Sequence, residues 1–495
     1  MYKWLPILRP EDYQSLASLL SSAFAPNEVA TLLERYASAC CKGILLEFAY
    51  VDKDYRSTYY HFYAKKGLRY SAHCVRLHFF DRQVSFHDDT LELATHDGNL
   101  AHHYLGFMVL RPTWVATIGR TVMSTWFMKG FEGRMIGAKH KVHVLGQRFA
   151  VWGFPWMFQH RDIQVCAHVA CWAILRHFSE RYGAYAEHLT HQITRMAYAF
   201  DPGGLIPSKG LTLLHAERVL AAAGTYPIMV HKHHEDSGEF YRHLLAYVES
   251  GFPIFAALPT ERHAIAVIGR GKVRESLRVG QDSQARYFSA DFTDELIVID
   301  DNLPPYVRIG EKPGVASYGI DAIGAFIVPL PDKIHYPAEA VGDFALSLVE
   351  KGYYGVAIPQ DETPVIRYFL TTAAAFTRFM VQNRTQFAVP LLSATLQLPL
   401  TQYLWVIEVG TQKQWEHHQI EFRAVLDATA SLMENNPLFL IHNNKRMVYV
   451  NRAAAAAPRE LDFLPIAGIA LERMPGNLDQ SRRPTIPSVT GAANA

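Results

Sequence analysis

Short runs of β-branched and aromatic residues alternate along this chain with longer stretches of helical spacing. Gly43-Ile-Leu-Leu-Glu-Phe-Ala-Tyr50, Thr58-Tyr-Tyr-His-Phe-Tyr63, Val75-Arg-Leu-His-Phe-Phe80 and His103-Tyr-Leu-Gly-Phe-Met-Val-Leu110 predict strands. A helical start over Pro10–Tyr36 precedes them, and Arg111-Pro112 ends the series. Residues 1–150 thus read as an α+β unit to which the sequence assigns no role.

Residues 151–335 follow a different order. Ala167, Ala170, Cys171, Ile174, Leu175 and Phe178 recur at helical spacing and predict a helix from about Ala167 to Tyr182, stopped by Gly183. Helices over Leu211–Ala223 and Tyr241–Glu249 are closed by Gly224 and Gly251. Three apolar runs then read as strands: Phe252–Leu258, Ala264–Ile268 led by His263, and Leu296–Ile299. Helices first and strands afterwards suggest an α+β layout with two lobes. Residues 336–475 form a further α+β region, with strands at Leu404–Val409 and Leu438–Ile441. Phe422–Met433 fits either state. Residues 476–495 are rich in Pro, Gly, Ser, Asn and Ala and predict a flexible tail.

Composition narrows the class. A chain of 495 residues has room for two or three domains at ~150 residues each. A formal net charge of +1 gives no electrostatic footprint for nucleic acid or an acidic membrane. No run approaches the ~20 apolar residues of a membrane span. Met1-Tyr-Lys-Trp-Leu-Pro-Ile-Leu-Arg-Pro lacks the charged flank and apolar core of a secretion signal. The 5 cysteines are therefore expected as free thiols in a reducing cytoplasm.

Candidate chemistry centres on Cys166, at the predicted first turn of the apolar helix. His263 opens a strand about a hundred residues later, and Asp300-Asp301 ends another. Thiol at a helix start, imidazole on a strand, then acid at a strand end is the order of a nucleophile, its base and its orienter. A helix N-terminus favours thiolate, because its N–H groups and macrodipole favour negative charge. The acid fixes the imidazole tautomer, and the Cys166 backbone N–H is one donor for an oxyanion.

The pattern Gln159…Cys166-Ala-His-Val-Ala-Cys-Trp-Ala-Ile-Leu175 resembles the active-site helix of papain-like cysteine peptidases, especially the C39-like branch. Gly251-Phe-Pro-Ile-Phe-Ala-Ala-Leu…His263-Ala-Ile-Ala-Val-Ile-Gly269 is similar to that family's small-Pro-apolar strand followed by a His-led strand. Ile297-Val-Ile-Asp300-Asp-Asn-Leu-Pro-Pro-Tyr306 looks like its strand-end acid and turn. The resemblance covers roughly residues 155–310. It implies a papain-like domain, a Cys166 nucleophile, a His263 base, Asp300 or Asp301 as orienter, and an upstream Gln in the oxyanion hole. Gln159 lies seven residues before Cys166, and Gln164 competes with it. Ala167-His168 replaces the family's Gly-Pro. A second register would place Cys171-Trp172-Ala173 on the family's Cys-Trp-Ala, one turn too deep in the helix.

Each residue also has a plainer reading. Free cysteine is commonly core material, and a lone His before an apolar run is commonly a half-buried one. Asp300 and Asp301 could be turn residues ahead of Pro304-Pro305; the spacing to that turn favours Asp300 as orienter. The ordered set is what lifts them above these readings. His231-Lys-His233-His234-Glu235-Asp236 reads as a polar loop, since no metal motif supports it. The pairs His140/His143 and His188/His191 are expected by chance on a His-rich chain. Gly269-Arg-Gly271 and Ile118-Gly-Arg lack phosphate-loop spacing. Cys40, Cys41 and Cys74 read as core.

The expectation is a bacterial, cytoplasmic cysteine peptidase cutting a peptide or isopeptide bond in a protein or peptide substrate. No metal or organic cofactor, nucleic acid or membrane is expected, and the flanking regions are candidates for a protein partner. The alternatives are amidase- or transglutaminase-type acyl transfer at the same thiol, and a degenerate papain-like fold acting as a binding protein.

Overall fold

The structure, a computed structural model, describes residues 2–87, 92–94, 100–114, 116–159, 166–197, 211–233, 237–275, 286–359, 361–434, 436–452, 457–466 and 468–480. It is a mixed α+β fold built on three larger sheets. The first is a five-stranded antiparallel sheet, in the spatial order Tyr2–Pro6, Gly43–Tyr50, Cys74–Phe80, Tyr104–Leu110, Ile118–Met123. Gly43–Tyr50 falls where the apolar run predicts it.

Thr58–Tyr63 does not. Its residues lie in a helix, Lys53–His61, and a short 3₁₀ turn, Tyr63–Lys65. Asp52 caps the helix, accepting from the Tyr55 N–H at 3.0 Å. Tyr55 and Thr58, three apart, share the buried face, so capping and one-sided burial override aromatic β-propensity here. The helical start is broken as well. Ala25 is left-handed at φ 43° and Pro26 opens a new helix, Pro26–Tyr36, because proline needs no N–H partner at that position.

The central sheet positions the site. Its strands run in the order Tyr226–His231, Ala325–Leu330, Ile254–Leu258, His263–Arg270, Leu296–Ile299, Val307–Ile309, with every neighbouring pair antiparallel. The helix Cys166–Arg181 packs across Ile254–Leu258 and His263–Arg270. Ala167 through Phe178 are all buried. The helix is thus enclosed along its length, with Cys166 at its N-terminal end and Glu180 and Arg181 at its C-terminal end reaching the surface. Leu213–Ala222, capped by Thr212, and Ser237–Glu249 follow the predicted positions closely.

The three regions read from the sequence share one continuous apolar core, running from Leu5 through Trp172 and Val267 to Leu426 and Leu478. Strands also cross their borders. Arg134–Met135 pairs with the end of the His263–Arg270 strand, and Tyr287–Phe288 pairs in parallel with Val365–Ile366 of the third sheet. Phe422–Asp427, ambiguous in sequence, is a central strand of that sheet. Of the expected tail at 476–495, the described residues 476–480 are held against the fold. Asp479–Gln480 pairs with Arg134–Met135, Leu478 is buried, and the Asn477 side chain donates to the Ser250 and Leu370 carbonyls. Residues 481–495 lie outside the described residues. Among the described residues no helix is long and apolar enough to cross a membrane.

Candidate active site

Cys166 is the first residue of its helix and is partly exposed. Cys171, one turn further in, is fully buried, and burial drives its thiol well above the ordinary range. The two registers left by the sequence are thereby separated: only Cys166 reaches solvent. Gln164 lies outside the described residues. Of the remaining thiols Cys41 and Cys74 are buried, and burial pushes Cys41 up to about 12, as expected of core cysteines. Cys40 is half-buried instead, with Ser38 Oγ 2.6 Å from its sulfur.

His263 opens its strand at the end of a hairpin, with Leu258 as its cross-strand partner. The turn residue before it, Arg262, is left-handed at φ 48°. The neighbouring strand pairs Ala266 with Ile299, so its next residues, Asp300 and Asp301, arrive beside the imidazole. His263 Nε2 is 3.1 Å from Asp300 Oδ1 and 3.9 Å from Asp301 Oδ1. The nearer contact is a charge contact, since Nε2 meets no acceptor in hydrogen-bond alignment. Burial opposes charge on this ring. The close Asp300 carboxylate, joined by Cys166, outweighs it and raises the imidazole to about 10. At neutral pH the ring is an imidazolium.

Asp300 is built to stay ionised. Burial alone would raise it, but His263, the Tyr318 hydroxyl and the Asn302 N–H hold it below its ordinary value. Tyr318 donates to Oδ2, and the Asn302 backbone donates to Oδ1 at 2.8 Å. The buried Trp156 indole donates to the Asp300 carbonyl at 2.8 Å and fixes the backbone. Asp301 differs. Its Oδ1 accepts from the Asn302 amide at 3.0 Å, while Oδ2 is buried without a partner. Burial, opposed by His263 and reinforced by Asp300, pushes it up to about 7. The adjacent carboxyls thus have different states, and Asp300 is the charged neighbour of the imidazole.

Gln159 donates from Nε2 to Asn302 Oδ1 at 2.9 Å, which ties it to the acid loop. A side-chain amide has two N–H donors, so one remains for another acceptor. Tyr318, Asn302 and Trp156 carry no sequence signal for these roles; Asn302 alone could have been suspected, as the next residue after the acids.

Cys166 and His263 open onto a cleft of about 340 Å³. Leu211, Leu213, Phe255, Ala257 and Leu258 make its wall apolar, and Arg262 stands at its edge. His263, Asp300 and Asp301 also bring three donor atoms within 4.8 Å of one another, close enough to hold a divalent cation. The other histidine pairs do not form such sites: along Ala138–Val144 burial alternates, so His140 is buried and His143 exposed on opposite faces. His191 stacks on His61 with ring centroids 3.5 Å apart. His234, Glu235 and Asp236 lie outside the described residues.

No protein-family model, curated protein or solved structure matches this chain.

Proposed function

We propose that the protein is a papain-like cysteine peptidase, with Cys166 as nucleophile, His263 as base and acid, and Asp300 as orienter. The observation that carries this reading is one alignment: the solvent-reaching thiol of the buried helix and a raised imidazole share one cleft, and a buried acid held below its ordinary value lies 3.1 Å behind the imidazole. In the resting pair the thiol proton already sits on His263, and the Cys166 thiolate attacks an amide carbonyl carbon. The oxyanion receives the Cys166 N–H and the second amide hydrogen of Gln159. As the C–N bond breaks, His263 returns its proton to the leaving nitrogen, leaving a thioester. His263 then deprotonates water, which displaces the thiol and releases the acid. The apolar cleft wall suits an aliphatic or aromatic side chain on the acyl part of a protein or peptide substrate.

Cys166→Ser tests the reading. The variant should fold as the parent does and lose peptide turnover by roughly 10³-fold or more; retained turnover contradicts it. A second reading is favoured by the three-donor cluster and the unpartnered Asp301 Oδ2: a divalent cation held by His263, Asp300 and Asp301. Metal content of the purified protein distinguishes the two.

A further inference from the structure

The strand that begins at His263 ends at Arg270, seven residues and ~23 Å away. At that end lies a separate cleft of about 740 Å³, between the central sheet, the third sheet and the segment around Met474. Five cationic side chains line it, Arg134, Arg270, Lys272, Arg367 and Arg473, against two carboxylates, Glu132 and Glu249. The excess is three positive charges.

The surrounding ion pairs do not remove this excess. Glu249 is shared, one oxygen contacting Arg270 and the other Arg367 at 3.0 Å. Glu408 behind the cleft is shared between Arg367 at 3.0 Å and the buried Arg423 at 2.8 Å. Arg134 makes no side-chain hydrogen bond or close ion pair among the described residues, with the already shared Glu249 acting on it only at longer range, and it stands directly across the strand pair from Arg270. Like charges in that position destabilise a sheet. Arg473 lies flat on Trp415, 3.8 Å from the ring centroid, and touches no carboxylate; its hydrogen bonds go to the Trp415 carbonyl and the His418 ring. Burial, with Arg367 and Arg270 nearby and against the opposing pull of Glu408 and Glu249, lowers its guanidinium to about 10.

We infer that this arginine-lined cleft binds a small polyanion carrying linked phosphate groups. A guanidinium fork matches phosphate oxygens two at a time. Linked phosphates supply the several negative charges that the excess requires, and the volume suits a small-molecule site. Inorganic polyphosphate and an organic pyrophosphate ester share this chemistry.

Calorimetric titration of the full chain with inorganic tripolyphosphate, and separately with ADP, tests the inference. Arg134→Gln and Arg473→Gln remove the two guanidiniums without a close carboxylate partner; exposed Lys3→Gln, on the first sheet, is the charge control. Saturable binding of either probe is expected, weakened at least tenfold in both arginine variants and unchanged in the control. Tripolyphosphate as the tighter ligand indicates an inorganic source, and ADP an organic ester. Without ligand, Arg134→Gln should melt no lower than the parent, because it relieves repulsion; a clear drop would assign Arg134 to the fold instead. Should Arg473→Gln fail to fold, Arg134→Gln decides alone. Absence of binding by both probes at millimolar concentration, or equal binding by parent and Arg134→Gln, overturns the inference.

Discussion

Asp300 meets His263 at Nε2, 3.1 Å from its Oδ1, and this leaves Nδ1 as the ring nitrogen for the thiol side. The pairing follows from register. Once Ala266 sits opposite Ile299, the residues after Ile299 reach the imidazole at the head of the adjoining strand. Tyr318 holds Oδ2 and the Asn302 N–H shares Oδ1 with the imidazole, so the carboxylate is fixed before any substrate binds.

Removing that charge should change the pH behaviour as well as the rate. His263 is raised from its ordinary value to about 10. Its stabilising contribution is complete below about 6.5 and is lost as pH rises through about 10. In Asp300→Asn the imidazole falls back, so both the alkaline limb of kcat/KM and the alkaline loss of stability should move to lower pH. Peptide turnover should fall by roughly 10²–10⁴-fold. A pH–rate profile and urea melts at pH 7 and 10 check both; an alkaline limb unmoved in the variant would remove Asp300 from the orienting role.

Asp301 should behave oppositely on substitution. Its carboxyl is raised to about 7, so folding favours its protonated form. The contribution is complete below about pH 4 and is lost as pH rises through about 7. Asp301→Asn keeps the shape and removes the buried charge. It should stabilise the protein by roughly 1–3 kcal/mol at pH 8 and change little at pH 4. Equal effects at the two pH values would show that Asp301 is not titrating there.

The thiol helix is anchored from the first region of the chain. Asp54 accepts from Arg176 at 2.9 Å and from the Trp172 indole at 3.0 Å, and both partners are buried. Asp54→Ala leaves the Arg176 cation buried with Glu187 as its remaining contacting carboxylate and Asp52 and Glu180 further off. A loss of roughly 3–5 kcal/mol is expected in chemical denaturation. A loss below about 1 kcal/mol would mean that water replaces the carboxylate.

Chelation separates the two readings of the acid cluster. Under the thiol mechanism, dialysis against EDTA leaves turnover unchanged, and metal analysis finds less than one equivalent of divalent cation. Stoichiometric metal, with turnover lost on chelation and restored by zinc, would support the cation reading of His263, Asp300 and Asp301.

Much of the site's frame was legible because it is strongly apolar and sharply bounded. The helix behind Cys166 carries apolar residues at helical spacing and the strands at His263 and Leu296 are short hydrophobic runs with polar ends, and burial makes them nearly context-independent. Thr58–Tyr63 misled for the converse reason: its aromatic residues carry β-propensity, while a cap at Asp52 and one buried face select helix. Tyr318 and Trp156 could not be read at all. They bind Asp300 from 18 and 144 residues away in sequence, and only the packed fold brings them there. The arginine cleft was hidden similarly. Its cations come from three regions, each unremarkable in local charge, and the excess exists only after assembly.

The most direct test of the thiol mechanism is the rate of alkylation at each cysteine near pH 6, read by peptide mapping, in the parent and in His263→Ala. A thiolate held by an imidazolium reacts quickly where ordinary thiols do not. Fast modification confined to Cys166 that collapses in His263→Ala is the predicted result. Slow modification of Cys166, at a rate like that of half-buried Cys40 and indifferent to His263, would contradict the account.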